Sequence, residues 1–156
     1  MAVVRILVDG YSLLHQWPEL APGKARHSAS AREELIRRLT LYRDSIGTPI
    51  TIVFDGAGPK VDASEFPSTP ELEIIYSRAG QTADQVIERI AALMQPFGEV
   101  LAVTDDNAER DTVLSLGGMT SSCFNFINDV ENTLKDFDRE LKNYNKSEKN
   151  RFKNRK

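Results

Sequence analysis

The sequence is short of the residues that would give it soft metal chemistry or a covalent scaffold. One cysteine, Cys123, occurs in 156 residues, so no disulfide can form within the chain. The two histidines, His15 and His27, have no metal-ligand spacing, which leaves no Cys and His set for zinc and no assignable catalytic histidine. No apolar run approaches the ~20 residues that cross a bilayer, and with the first strand pattern starting at Val3 no signal segment is expected. A soluble, cytoplasmic protein with no membrane partner is the expectation. Internal repeats are also missing, no second domain is expected, and a chain of this length buries roughly 70% of its unfolded surface as one domain.

What is present starts with VVRILVDGYS, Val3 to Ser12. Val3, Val4, Ile6, Leu7 and Val8 read as a strand buried on both faces of a parallel sheet. The run ends on Asp9, and Gly10 permits a change of direction there, although Asp-Gly is also a common turn dipeptide. Tyr11 to Ala29 reads as a loop with basic residues Lys24 and Arg26 and a Trp17 that plugs it from beneath. Ser30 to Glu33 fits a capping box, and Leu35, Ile36, Leu39, Tyr42 and Ile46 follow at helical spacing up to Gly47. Ile50 to Phe54 is then a second strand. Strand, helix and strand in this order make a βαβ unit with parallel strands, so Asp55 falls on the same sheet edge as Asp9.

Residues 56–71, with Pro59, Pro67 and Pro70, read as a mobile loop near that edge. Leu72 to Tyr76 is a third strand of undetermined direction. Thr82 to Gln85 caps a helix whose buried stripe is Val86, Ile87, Ile90, Leu93 and Met94. Val100 to Val103 is a fourth strand that ends in Thr104, Asp105 and Asp106. A short helix to Leu116 and a short edge strand at Met119 to Ser121 precede the last helix. That helix carries a seam of Ile127, Val130, Leu134, Phe137, Leu141 and Tyr144, expected to pack along one face before the chain frays at residue 146.

Three strand ends therefore deliver acids to one edge: Asp9, Asp55 and Asp106, with Asp84 in the first turn of a helix. Asp84 can also serve a helix amino terminus, and Asp106 with Glu109 can cap one. Clustered carboxylates repel by about 4 kcal/mol per pair at ~4 Å and an effective dielectric near 20, so they call for protons or divalent cations. Oxygen donors without Cys or His select magnesium or manganese. Such sites commonly act on phosphates. The charge distribution fits an anionic partner: residues 139–156 hold eight Lys or Arg against Glu140 and Glu148, a balance of +6, so residues 1–138 carry −9.

The ordered set VDGYS, VFDG, the Tyr76 to Glu88 stretch with its TAD, and VTDDNAE resembles the YacP-like NYN nucleases, relatives of PIN-domain ribonucleases. The resemblance implies a PIN-like three-layer α/β/α sandwich around a mainly parallel sheet, with residues 1–145 as the nuclease domain and 146–156 as a basic tail. It also implies metal-dependent endonucleolytic cleavage of RNA in turnover or processing, with single-stranded RNA as partner, mRNA on a ribosome included. Asp9, Asp84 and Asp106 are carried over as catalytic metal-binding acids and Asp55 as a further metal ligand. Ser12, Thr104, Asp105 and Glu88 take supporting roles, and Lys24, Arg26, Lys146, Lys149, Arg151 and Lys153 are candidate RNA contacts. The family pattern usually has Asn where this chain has Ser12, a shorter side chain for orienting a water or carboxylate. Two readings compete with a nuclease: a catalytically weak RNA-binding module working within a larger particle such as the ribosome, and a small-molecule phosphatase. The phosphatase lacks its expected Asp-x-Asp signature after the first strand.

Overall fold

The computed structural model describes residues 3–25, 27–56 and 68–153, the side chains of residues 152 and 153 excepted. Five strands form one sheet in the order β3-β2-β1-β4-β5: β1 (Val3–Asp9), β2 (Ile50–Phe54), β3 (Leu72–Tyr76), β4 (Glu99–Val103) and β5 (Met119–Ser121). All four pairings are parallel. The direction of β3, open in the sequence, is thereby settled. Helices α1 (Gly10–Gln16), α2 (Ala29–Ile46) and α5 (Cys123–Lys153) cover one face, and α3 (Ala83–Met94) and α4 (Asn107–Ser115) the other. The result is the expected α/β/α sandwich. Two cores follow from it: Val8, Leu13, Trp17, Leu35, Leu39, Phe54, Phe126 and Val130 on the first face, and Leu7, Val53, Ile87, Val100 and Val113 on the second.

β1 is central because its residues are apolar on both faces, with Leu7 and Val8 wholly buried. Arg5, the exception, lies along the sheet, where Nη1 donates to Thr51 Oγ1 at 2.9 Å. From β1 the chain builds outward through β2 and β3, then returns by α3 to add β4 and β5 on the other side. The strand order reverses between β1 and β4. At that switch point the two outgoing connections diverge and leave a crevice at the carboxyl ends of the strands.

Several local expectations need correction. Residues 10–16, read as loop, form α1, because Asp9 itself caps a helix that buries Leu13 and Leu14. Gly10 does not provide a left-handed turn. A Cβ there would meet the buried Phe54 ring at 2.4 Å, so glycine is required by the approach of α1 to the sheet. The cap of α2 is Ser28, whose Oγ accepts from Ala31 N at 3.1 Å, two residues before the expected box. Trp17 is the plug anticipated, 2% exposed, with Nε1 donating to Glu131 Oε1 at 3.1 Å.

The last helix departs furthest from expectation. It continues unbroken to Lys153, so within the described residues the basic tail is helical and does not fray at 146. Its seam is buried only as far as Val130, with Leu134 packed at the margin, while Phe137, Leu141 and Tyr144 are 51%, 48% and 62% exposed. The four longer strands, β1 to β4, are five to seven residues long, or about 17 to 23 Å, and a helix rising 1.5 Å per residue crosses that depth in about 11 to 15 residues. The remainder of α5 runs past the body. The loop expected over residues 56–71 lies mostly outside the described residues.

Candidate active site

Asp9 ends β1 at the switch point, and its carboxylate is held by the first turn of α1: Ser12 N donates to Oδ1 at 3.3 Å, and the Ser12 side chain bonds it as well. Burial pushes the Asp9 pKa above its ordinary value. The Ser12 bonds oppose that shift, and the charges of Asp84 and Asp55 add to it. Asp84 is placed by the amino terminus of α3, where the capping box anticipated between Thr82 and Gln85 is complete: Gln85 N donates to Thr82 Oγ1 at 3.2 Å and Thr82 N to Gln85 Oε1 at 3.1 Å.

A further acid at this edge is Glu109, which the sequence offered only as a helix-cap partner of Asp106. Asp106 does cap α4, its Oδ1 accepting from Ala108 N at 2.8 Å and Glu109 N at 3.1 Å. Glu109 turns inward instead and is 2% exposed. Thr104, itself buried, fixes it: Thr104 Oγ1 accepts from Asp106 N at 3.0 Å and donates to Glu109 Oε2 at 2.7 Å. The expected capping-box role of Glu109 is thus taken by Thr104. Glu109 Oε1 is buried with no hydrogen-bond partner among the described residues. Burial raises the Glu109 pKa to about 8 against the Thr104 bond, and the neighbouring Asp84 and Asp9 push the same way. Two acceptors such as Glu109 and Asp84 can meet only across a proton or a cation. At neutral pH the metal-free site therefore holds the proton.

The structure brings Asp9, Asp84 and Glu109 into mutual electrostatic reach, with Asp55 close enough to act on Asp9. Asp55 is anchored by Ser77, whose Oγ donates to Oδ1 at 2.9 Å while accepting from Gly56 N. Asp106 lies on the same edge, exposed, with one oxygen engaged as the α4 cap. Asp105 has a structural partner: its Oδ1 accepts from Cys123 N at 2.9 Å and fixes the start of α5. Beside it the Cys123 thiol is pushed up to about 12 by burial and by the Asp105 charge, so it stays protonated. Glu88 stands one turn beyond Asp84, half-buried, with no hydrogen bond or ion pair among the described residues.

Among the basic candidates Lys24 is exposed in the loop before α2, and Lys146, Lys149 and Arg151 are exposed along the far part of α5. Arg26 and the side chain of Lys153 lie outside the described residues. A cleft of about 250 Å³ opens beside the acids, lined by Tyr11, Ser12, His15, Gln16, His27 and Asp105. The Tyr11 ring touches both His27 and Phe54, with centroids 4.3 and 5.0 Å away.

The donors fit a hard divalent cation. All are oxygens, one is buried with no hydrogen-bond partner among the described residues, and the carboxyl pKa values are raised, first by burial and then by the neighbouring acids, a cost that a cation would relieve in place of protons. Among the described residues no three of the Asp, Glu, His or Cys side chains stand together as a group that could hold a metal ion by themselves. Magnesium, where it binds, keeps several waters and takes only one or two carboxylates together with substrate phosphates, so a smaller set such as Asp9 and Asp84 would have to serve.

Comparison with known proteins gives a consistent picture. The family model described as "YacP-like NYN domain" matches residues 6–156. The chain is 29% identical over 127 residues to the uncharacterized protein YacP of Bacillus subtilis (strain 168), covering 81% of this chain and 74% of that protein. Two crystal structures of Rae1 (YacP) from Bacillus subtilis superpose with a TM-score of 0.76 each. One is 25% identical and covers 95% of this chain, the other, a W164L mutant, is 24% identical and covers 91%, and in both the match spans 84% of the solved chain. The sandwich is the PIN-like fold of those structures.

Proposed function

The chain belongs to the YacP-like NYN domain family, and from that premise we propose that it is a metal-dependent endoribonuclease that hydrolyses single-stranded RNA, mRNA engaged on a ribosome included. The family match supports a nuclease-type, RNA-related function. The single observation that carries the finer reading is the convergence of Asp9, Asp84 and Glu109, with Asp55 beside them, at the switch point of a parallel sheet.

In this reading Asp9 and Asp84 hold magnesium or manganese, with Glu109 and Asp55 completing the acidic wall and Asp106 available from the rim. A bound divalent cation supplies a more acidic water and charge neutralisation at the phosphate. The chain's own residues do the positioning. Ser12 fixes Asp9, Thr104 fixes Glu109, Ser77 fixes Asp55, and the α3 amino terminus sets Asp84. The open cleft at Tyr11 gives a nucleotide a place beside the acids.

The test is incubation of unstructured RNA with the protein in magnesium or manganese, with and without chelator. Cleavage confined to the metal-containing samples, and lost in Asp9→Asn and Asp84→Asn, is the expected result. Binding without cleavage at any metal concentration would replace this reading with that of an RNA-binding module.

A further inference from the structure

α5 starts at the carboxylate edge, where Cys123 N is bonded to Asp105, and runs back along the body and beyond it. Its outward side has a regular composition. Asn125, Asn128 and Asn132 are followed by Lys135, Arg139, Lys142, Lys146, Lys149 and Lys153, each three or four residues after the last. These positions form one stripe on a helix, opposite the Ile127, Val130 and Leu134 seam that faces the body. No member of the stripe is itself an acid, although Glu131, Asp136 and Asp138 flank it, and every member from Asn125 to Lys149 is exposed.

We propose that this outer face of α5 is a track for the backbone of single-stranded RNA, with neutral amides nearest the acids and a file of cations leading away from them. The proposal rests on the reading of the carboxylate edge as the place where the scissile phosphodiester sits. Spacing supports a strand as the occupant. Steps of three and four residues advance about 4.5 and 6 Å along the helix, against about 3.4 Å per nucleotide of a stacked strand, so a cation meets a phosphate every one to two nucleotides.

The charges are available for that role. Lys135, Lys146 and Lys149 make no ion pair among the described residues. Arg139 and Lys142 pair only with Asp136 and Asp138 on their own helix, at 3.8 and 3.0 Å, with all four side chains well exposed. Exposed pairs of this kind are weak, and phosphates can replace them. Lys135 lies about 18 Å along α5 from Cys123 and Lys149 about 39 Å, so the track engages RNA some five to eleven stacked nucleotides from the acids. The half-exposed Phe137, Leu141 and Tyr144 face the other way and stay free of the strand.

The experiment measures binding of a 24-nucleotide unstructured RNA in chelator from 50 to 200 mM salt. The intact chain is compared with a Lys142→Gln/Lys146→Gln/Lys149→Gln variant and with Arg37→Gln/Arg89→Gln, which removes charge from α2 and α3. Three lost phosphate contacts predict a loss of about 2 units in the slope of log affinity against log salt for the lysine variant, so the affinity gap between it and the intact chain narrows by roughly 20-fold over that range. The arginine variant should keep the intact slope. Equal loss per charge in both variants would reduce the effect to net charge and overturn the track. An unchanged slope in the lysine variant, or no binding of the 24-mer by the intact chain at 50 mM salt, would overturn it too and leave this face to a protein or membrane surface. Cleavage is not read here, so a protein that binds RNA through the track yet never cuts it would refute the nuclease reading alone.

Discussion

Replacing Glu109 by Gln isolates the proton that holds the metal-free site together. The Glu109 carboxyl has a folded pKa of about 8 against an ordinary 4.5, so between those values the native state binds more protons than the unfolded chain. Stability then falls as pH rises through this window, is unaffected below it and levels off above it. Each unit corresponds to about 1.4 kcal/mol, so by pH 7 the intact protein has lost about 3 kcal/mol relative to pH 4.5 through this group. Glutamine reproduces the protonated acid: its carbonyl accepts from Thr104 Oγ1 and its amide donates toward Asp84. Urea unfolding in chelator at pH 5, 6, 7 and 8 should therefore find the two proteins within about 1 kcal/mol at pH 5 and the variant more stable by about 3 kcal/mol or more at pH 8. A shallower decline should remain in the variant, because Asp9 is shifted in the same direction. A variant less stable than the intact protein at pH 8, or one with the same pH slope, would refute a shared proton at Glu109.

Asp9→Asn and Asp84→Asn should each abolish cleavage while leaving the metal-free melting temperature equal or higher, since each removes like-charge repulsion; a strongly lowered melting temperature would make these acids structural. Gly10→Ala should destabilise by about 1 to 3 kcal/mol in denaturant unfolding, because a Cβ at 2.4 Å from a wholly buried Phe54 ring forces α1 off the sheet. Thr104→Val should cost about 1 to 3 kcal/mol by leaving both Asp106 N and Glu109 Oε2 without their shared hydroxyl. It should also impair cleavage more than Asp105→Asn, whose carboxylate serves the start of α5.

How far the sequence reaches is clear from particular residues. Within the runs at Val3 to Val8, Ile50 to Phe54 and Val100 to Val103, the residues Ile6, Leu7 and Val8, all of the second run, and Val100, Ala102 and Val103 are buried, and hydrophobic pattern alone places such strands in a parallel sheet with Asp9, Asp55 and Asp106 on one edge. Thr82 and Gln85 announce the helix that carries Asp84, because a capping box is local chemistry. Membership of the ordered motif set in one family was legible for the same reason.

Tertiary structure decided the rest. Whether Glu109 caps its own helix or turns into the site depends on Thr104, which reaches the Asp106 amide first, and no spacing rule ranks those two donors and acceptors. Gly10 looks like a turn in the sequence and is a packing requirement in the fold, because the ring it must clear belongs to a strand 44 residues later. The seam of α5 reads as uniform from Ile127 to Tyr144, yet it is buried only as far as the sheet extends beneath it. Periodicity specifies which face of a helix is apolar; the depth of the sheet, a property of the whole assembly, determines how much of that face finds a partner.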